Sequence, residues 1–339
     1  MRIAFLRQFH ANRWFSGAQI QAIQTAEALR RQGLTVEFIG DASQCSDFDL
    51  LHVFGMYPEY RGVCEAFRTR GIPVAASPIF FKDISTWLKR AHAAAAPVWG
   101  QLSRSYRALR QLLTSVSALL PNTQAEAQFV QRYFGVAPST WVVPNGVDPR
   151  FAQGDPRLFR EEFCVREDFV LCVGRIERRK NQLRLVQALR GTGIPLVIVG
   201  ECIAQKYLAR CHRAADANVR FLPALPHDSP LLASAYAACR VFALPSLLET
   251  PGLAALEAGV AGARVVVTPY GGAPEYFQQF ARYPNPRSVA AIRRAILEAW
   301  ESAHDPETQR QFLLKHYSWE QVAQHTLRAY QQVLSRECK

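Results

Sequence analysis

The sequence predicts an α/β protein made of two doubly wound domains, each with a parallel sheet. Three observations predict it. The chain has 339 residues, strand and helix signals alternate along it and then restart halfway, and a turn-rich segment joins the two blocks. A chain of this length exceeds one ordinary core and suits two. Hydrophobic content is 49% and charged content 20%, a composition that folds rather than stays disordered.

In the first block, residues 2–6 form a short β-like run. Residues 19–31 follow with Ile20, Ile23, Ala26 and Leu29 on one helical stripe, and Gly33 ends that helix. Residues 34–39, 49–54 and 73–76 read as the next three strands. The second block opens with a strand at 169–173 and a helix at 182–189. Strands at 196–199, 219–222, 241–244 and 264–268 complete it. Between the blocks lies VVPNGVDPRFAQGDP, whose three prolines, two glycines and Asn-Gly pair suit an interdomain connection. The expected domains are therefore residues 1–148 and 149–318. In open α/β folds ligands bind at the carboxyl ends of the strands, so two such domains are expected to face each other across a cleft.

The formal charge is +12, which points to an anionic partner without naming it. No nucleic-acid recognition module is visible, so specific nucleic-acid binding is not expected. The eight cysteines contain no C-x-x-C pair, and Cys202, Cys211 and His212 fit no common zinc spacing. Free thiols and no metal are expected. The N-terminal MRIAFLRQFH is broken by Arg7 and His10 and does not read as a signal peptide. No apolar run reaches the roughly 18 residues of a membrane span. A cytoplasmic protein is expected, peripheral to a membrane at most.

Three constellations carry chemistry. In LPSLLETPGLAALEAG, strand 241–244 leads into a loop with Glu249. Gly252 then opens a helix on which Glu257 lies. Free amides around Gly252 and Leu253, with the positive helix end, suit a phosphate. The two carboxylates can accept hydrogen bonds from vicinal hydroxyls, as on sugars and riboses. In VGRIERRKNQ, Arg175 and Lys180 follow a strand and can grip a diphosphate and stabilise it as it departs, whereas Arg178 and Arg179 read as solvated neighbours. Gly271 and Gly272 follow the last strand, ahead of Glu275, and a plain turn would account for them equally well. Ser16 and Gly17 sit between the first strand and helix, where backbone amides can approach the same diphosphate.

These stretches resemble the retaining glycosyltransferase family 4 of group 1, with the GT-B fold of two Rossmann-like domains. The likeness runs through SGAQIQAIQTAEALRRQGLTVEFI, VVPNGVD, GRIERRKNQ, VFALPSLLETPGLAALEAGVAGARVVVTPYGGAPE and HYSWEQVAQHTLRAYQQVL, in the family's order. The resemblance implies that Glu249 contacts the donor sugar and Glu257 the nucleotide ribose. It implies that Arg175 and Lys180 bind the diphosphate, and that Gly174, Pro251, Gly252, Leu253, Ser16 and Gly17 lie against the donor. Catalytic roles would fall on Arg175, Lys180 and Glu249. The helix of about 319–339 resembles the segment that crosses back onto the N-terminal domain.

Two departures stand out. Pro251 replaces the usual Phe before the motif glycine. Ile79 occupies the place where many relatives carry a histidine near the reacting carbon.

The implied activity is transfer of a sugar from a UDP- or GDP-sugar, with retention and without a metal or other cofactor, to a saccharide or lipid-linked acceptor. Bacterial surface polysaccharide or glycolipid biosynthesis is the expected setting. A sugar-nucleotide epimerase and a non-catalytic nucleotide-sugar-binding subunit share the architecture and remain open. A dehydrogenase is disfavoured because FHANRWFSGAQ lacks G-x-G-x-x-G. An anionic membrane surface is a further expected partner. Residues 84–125 hold no Asp or Glu but carry Lys89, Arg90, Arg104, Arg107 and Arg110, with Trp87, Trp99 and Tyr106 interleaved.

Overall fold

The computed structural model describes residues 1–6, 17–44, 47–81, 104–136 and 138–337. Ser16, Lys89 and Arg90 lie outside the described residues. The chain divides into two compact units, Met1–Gly146 with Trp319–Lys339, and Val147–Ser318.

Among the described residues the first unit holds six parallel strands in the order β2-β1-β3-β4-β5-β6. They are β1 (Arg2–Leu6), β2 (Thr35–Ile39), β3 (Leu50–Phe54), β4 (Val74–Ser77), β5 (Ala118–Leu119) and β6 (Ser139–Thr140). Residues in β1, β3 and β4 are buried on both faces, as a parallel sheet covered by helices requires. The helix Gly17–Arg31 buries Ala22, Ala26 and Leu29. It packs against the terminal helix Trp319–Glu337, which contributes Val322, Ala323 and Tyr330 to the same core cluster. Gly146 lies under Trp319 so closely that a Cβ there would meet the indole ring at 2.5 Å. His52 of β3 is fully enclosed. Its Nδ1 bonds Tyr330 Oη at 2.6 Å and its Nε2 bonds Ser77 Oγ at 3.0 Å. Burial pushes its pKa down to about 3, so the ring is neutral and structural.

The second unit holds six parallel strands in the order β12-β11-β10-β7-β8-β9. They are β7 (Val170–Val173), β8 (Leu196–Val199), β9 (Val219–Leu222), β10 (Val241–Leu244), β11 (Arg264–Val267) and β12 (Ala281–Arg282). Val241 registers with Val170, and Leu244 with Val267. The chain builds outward from β7 to β9, returns to β10 beside β7, then builds the other way. That reversal is a topological switch point, where the loops leaving two adjacent strands diverge and leave room for a ligand. Among the described residues no helix is long and apolar enough to cross a membrane. The described cysteines Cys64, Cys164, Cys172, Cys202, Cys211 and Cys239 are free thiols.

Candidate functional site

The carboxyl-end loops of β7, β10 and β11 carry the chemistry of the second unit. After β7 the chain turns at Gly174, whose φ of +151° suits glycine, and Gly200 must stay small because a Cβ there would sit 2.0 Å from the Gly174 carbonyl. A 3₁₀ turn, Arg178–Lys180, follows and ends at Asn181 in the left-handed region with φ 63°. Asn181 Nδ2 donates to the Pro245 carbonyl at 2.8 Å and the Pro286 carbonyl at 2.7 Å. The Leu247 amide donates to the Arg179 carbonyl at 2.8 Å. The β7 and β10 loops are thereby tied into one piece.

That tie brings together two residues 69 positions apart. Lys180 Nζ donates to Glu249 Oε1 at 2.6 Å, with both side chains largely shielded. Burial raises the pKa of Glu249, but the charges of Lys180 and Arg179 outweigh it and hold the group below the usual carboxylate range. Glu249 is therefore an ionised acceptor. Arg179 corrects the sequence reading of a solvated neighbour. Its Nη1 lies 3.8 Å from Glu249 Oε1 and donates to the Leu248 carbonyl, while its Nη2 reaches Glu177 at 3.2 Å. Arg175 stays exposed, 3.5 Å from Glu177.

The Gly271–Gly272 pair is more than a turn. The Glu249 amide donates to the Tyr270 carbonyl at 3.1 Å, and the Gly272 amide donates to the Glu249 carbonyl at 2.9 Å. Gly271 has φ +107°, and a Cβ there would fall 1.8 Å from the Glu249 carbonyl oxygen. The β11 loop thus clasps the backbone of Glu249.

Beyond Glu249, buried Pro251 precedes Gly252, which takes φ 78° and starts the helix Leu253–Ala261 without any side-chain cap. The helix start suits an anion for that reason. One turn in, Glu257 is buried. Tyr236 Oη donates to its Oε2 at 2.8 Å, and His227 Nε2 meets its Oε1 at 2.8 Å. Burial and the neighbouring Glu257 charge push the Tyr236 phenol far up, so it remains a neutral donor. Arg150 Nη2 reaches His227 Nδ1 at 3.2 Å.

The site assembled within this unit therefore comprises two ionised or hydrogen-bonded carboxylates, the cations Lys180 and Arg179 with Arg175 beside them, and an uncapped helix start. Such a set can hold a polyol and a phosphorylated group together. Sequence reading did not find Arg150, His227 or Tyr236. Arg150 lies in a 3₁₀ turn, His227 in a loop and Tyr236 on the helix Pro230–Ala238, and no local pattern marks them.

In the first unit, Gly17 is the exposed first residue of its helix. Ile79 follows β4 with φ 46°, a strained value for a β-branched residue. The next amide, Phe80, donates to the buried Glu126 Oε1 at 2.6 Å, and the Asn122 amide donates to Glu126 Oε2 at 2.7 Å. A buried carboxylate, rather than a histidine, shapes this loop.

The profile of glycosyl transferases group 1 matches residues 158–319, nearly the whole second unit. This unit is therefore similar to the group 1 glycosyl transferases. The chain is 34% identical over 179 residues to a D-inositol 3-phosphate glycosyltransferase of Segniliparus rotundus, a match covering 48% of this chain and 39% of that protein. The chain thus spans about two fifths of that curated relative. Among solved structures it is similar to sucrose-phosphate synthase from Thermosynechococcus elongatus, with a TM-score of 0.78, 18% identity and 99% of both chains covered. It is also similar to Anabaena HepE in complex with UDP and glucose, with a TM-score of 0.76, 18% identity and 98% and 99% covered. Those likenesses establish the GT-B fold of two helix-flanked parallel sheets.

Proposed function

We propose that the chain transfers a glycosyl group from a nucleoside diphosphate sugar, UDP- or GDP-linked, to a saccharide or lipid-linked acceptor with retention of configuration. The observation that carries this is the Lys180–Glu249 pair beside the uncapped Gly252 helix start and Glu257, all at the switch point of one sheet. In this reading Glu249 accepts from the sugar, Glu257 from the ribose, and Arg175 and Lys180 face the diphosphate, with Arg179 adding charge. The C1–O bond to the diphosphate breaks and a C1–O bond to the acceptor hydroxyl forms. The departing diphosphate takes the hydroxyl proton on the same face. Charge stabilisation at the leaving group is the main catalytic contribution. Three cations stand in for a resident metal, so turnover is expected to survive EDTA. HepE, solved with UDP and glucose, supports UDP as the first donor base to test.

The test is release of UDP or GDP from a panel of donor sugars, with and without mixed saccharide and lipid-linked acceptors. Acceptor-dependent release is the expected result. Donor isomerisation without release would indicate an epimerase, and binding without turnover a carrier subunit.

We further propose that the acceptor is membrane-borne and part of surface polysaccharide or glycolipid assembly. Arg104, Arg107 and Arg110 are exposed on the helix Arg104–Thr114, which anchors itself by burying Leu112 and Leu113. Each basic residue near an anionic surface contributes about 1 kcal/mol. Co-sedimentation with vesicles is expected to rise with anionic lipid, fall with salt, and drop at least tenfold when all three arginines become Gln. Binding indifferent to those changes would favour a soluble acceptor.

A further inference from the structure

We infer that His227 is a positioning residue for Glu257, and that Arg150 fixes the imidazole tautomer needed for it. The inference rests on the reading above in which Glu257 binds the nucleotide. A guanidinium only donates hydrogen bonds. Arg150 Nη2 approaches both the His227 carbonyl, at 2.6 Å, and His227 Nδ1, at 3.2 Å. Nδ1 must therefore be the accepting nitrogen, and the proton sits on Nε2. That nitrogen is 2.8 Å from Glu257 Oε1 and donates to it. Tyr236 donates to Oε2. Each carboxylate oxygen then has one internal donor and one lone pair left. The carboxylate is locked in plane with its free lone pairs set for a vicinal diol.

The two segments involved are each pinned. Arg150 belongs to the 3₁₀ turn Pro149–Gln153, whose start is capped by Asp148, and Asp148 Oδ2 lies 3.6 Å from Arg150 Nε. His227 precedes the helix Pro230–Ala238, which Ser229 caps. Phe151 packs edge-on against both the His227 ring, at 5.7 Å, and the Tyr236 ring, at 5.6 Å, while the Arg150 guanidinium lies over the Phe151 ring. The His227 ring is thus held by its flank as well as by both nitrogens.

Glutamine places an amide nitrogen near the Nε2 position of histidine, whereas asparagine reaches only the Nδ1 position. The experiment is calorimetric titration of UDP and GDP into wild type, His227→Ala, His227→Gln, His227→Asn and Glu257→Ala, with thermal unfolding of each. His227→Ala and His227→Asn are expected to weaken nucleotide binding at least tenfold. His227→Gln is expected to stay within about threefold of wild type. In steady state the donor KM of His227→Ala should rise more than its kcat falls. Nucleotide affinity that is unchanged in His227→Ala, or equal in the Gln and Asn variants, would overturn the inference. If affinities track melting temperatures across the three His227 variants, the role is structural only and the inference also falls. Loss of binding in Glu257→Ala with full binding in His227→Ala sinks this inference alone. Failure of wild type to bind either nucleotide sinks the functional reading and this inference with it.

Discussion

Lys180→Met is expected to lower kcat about a thousandfold, roughly 4 kcal/mol of lost charge stabilisation at the leaving group. The same change leaves Glu249 buried at 6% exposure without its 2.6 Å partner. Breaking a buried ion pair on one side costs about 3–5 kcal/mol of stability. Arg179, at 3.8 Å, offsets part of that. Lys180→Met should therefore lose both turnover and melting temperature. The double variant Lys180→Met/Glu249→Gln should regain much of the stability, because no uncompensated charge remains, but none of the turnover. Steady-state kinetics beside thermal denaturation separate the two effects. Near-normal kcat in a folded Lys180→Met protein would show that the diphosphate does not lie where the loop after β7 puts it.

Gly271→Ala is expected to be nearly as damaging, although the residue carries no functional group. Its added Cβ would meet the Glu249 backbone carbonyl at 1.8 Å, and its φ of +107° strains any L side chain. A backbone obstacle cannot swing aside as a side chain can, so the β10 loop must move. A shift of about 1 Å in a positioned group costs on the order of a hundredfold in rate, and the strained backbone about 1–3 kcal/mol in stability. Gly193→Ala is the control. It also has positive φ, at +74°, but its Cβ would meet nothing within 4 Å. It should lose comparable backbone stability and keep its turnover. Gly271→Ala with turnover within threefold of wild type would refute the clasp.

The architecture was legible because buried parallel strands leave dense apolar runs that glycines and helices separate. The strands at 196–199 and 241–244 show this directly. β5, β6 and β12 were not legible: each is two residues long, too short for any periodicity, and exists only because a neighbouring strand offers edge hydrogen bonds. The local pieces around Glu249, Glu257 and Lys180 stood out as loop and helix starts. Their pairing did not, since it depends on β10 returning beside β7, which sequence order alone does not give. Arg179 was misread because a run of basic residues gives no sign of which one approaches a carboxylate. His227 had one usable signal, its place two residues before the Ser-Pro cap of a helix, and that fixes a loop end rather than a partner.

The most direct measurement of the central claim is a calorimetric titration of UDP and of GDP into wild type, Glu249→Ala and Glu257→Ala. The account predicts saturable one-site binding of at least one nucleotide by wild type. Glu257→Ala should weaken it by roughly 1.5–3 kcal/mol, the loss of a charge-assisted hydrogen bond to a ribose hydroxyl. Glu249→Ala should bind nearly as wild type does, because its partner is the sugar. Equal losses in the two variants, or no saturable binding of either nucleotide by wild type, would contradict it.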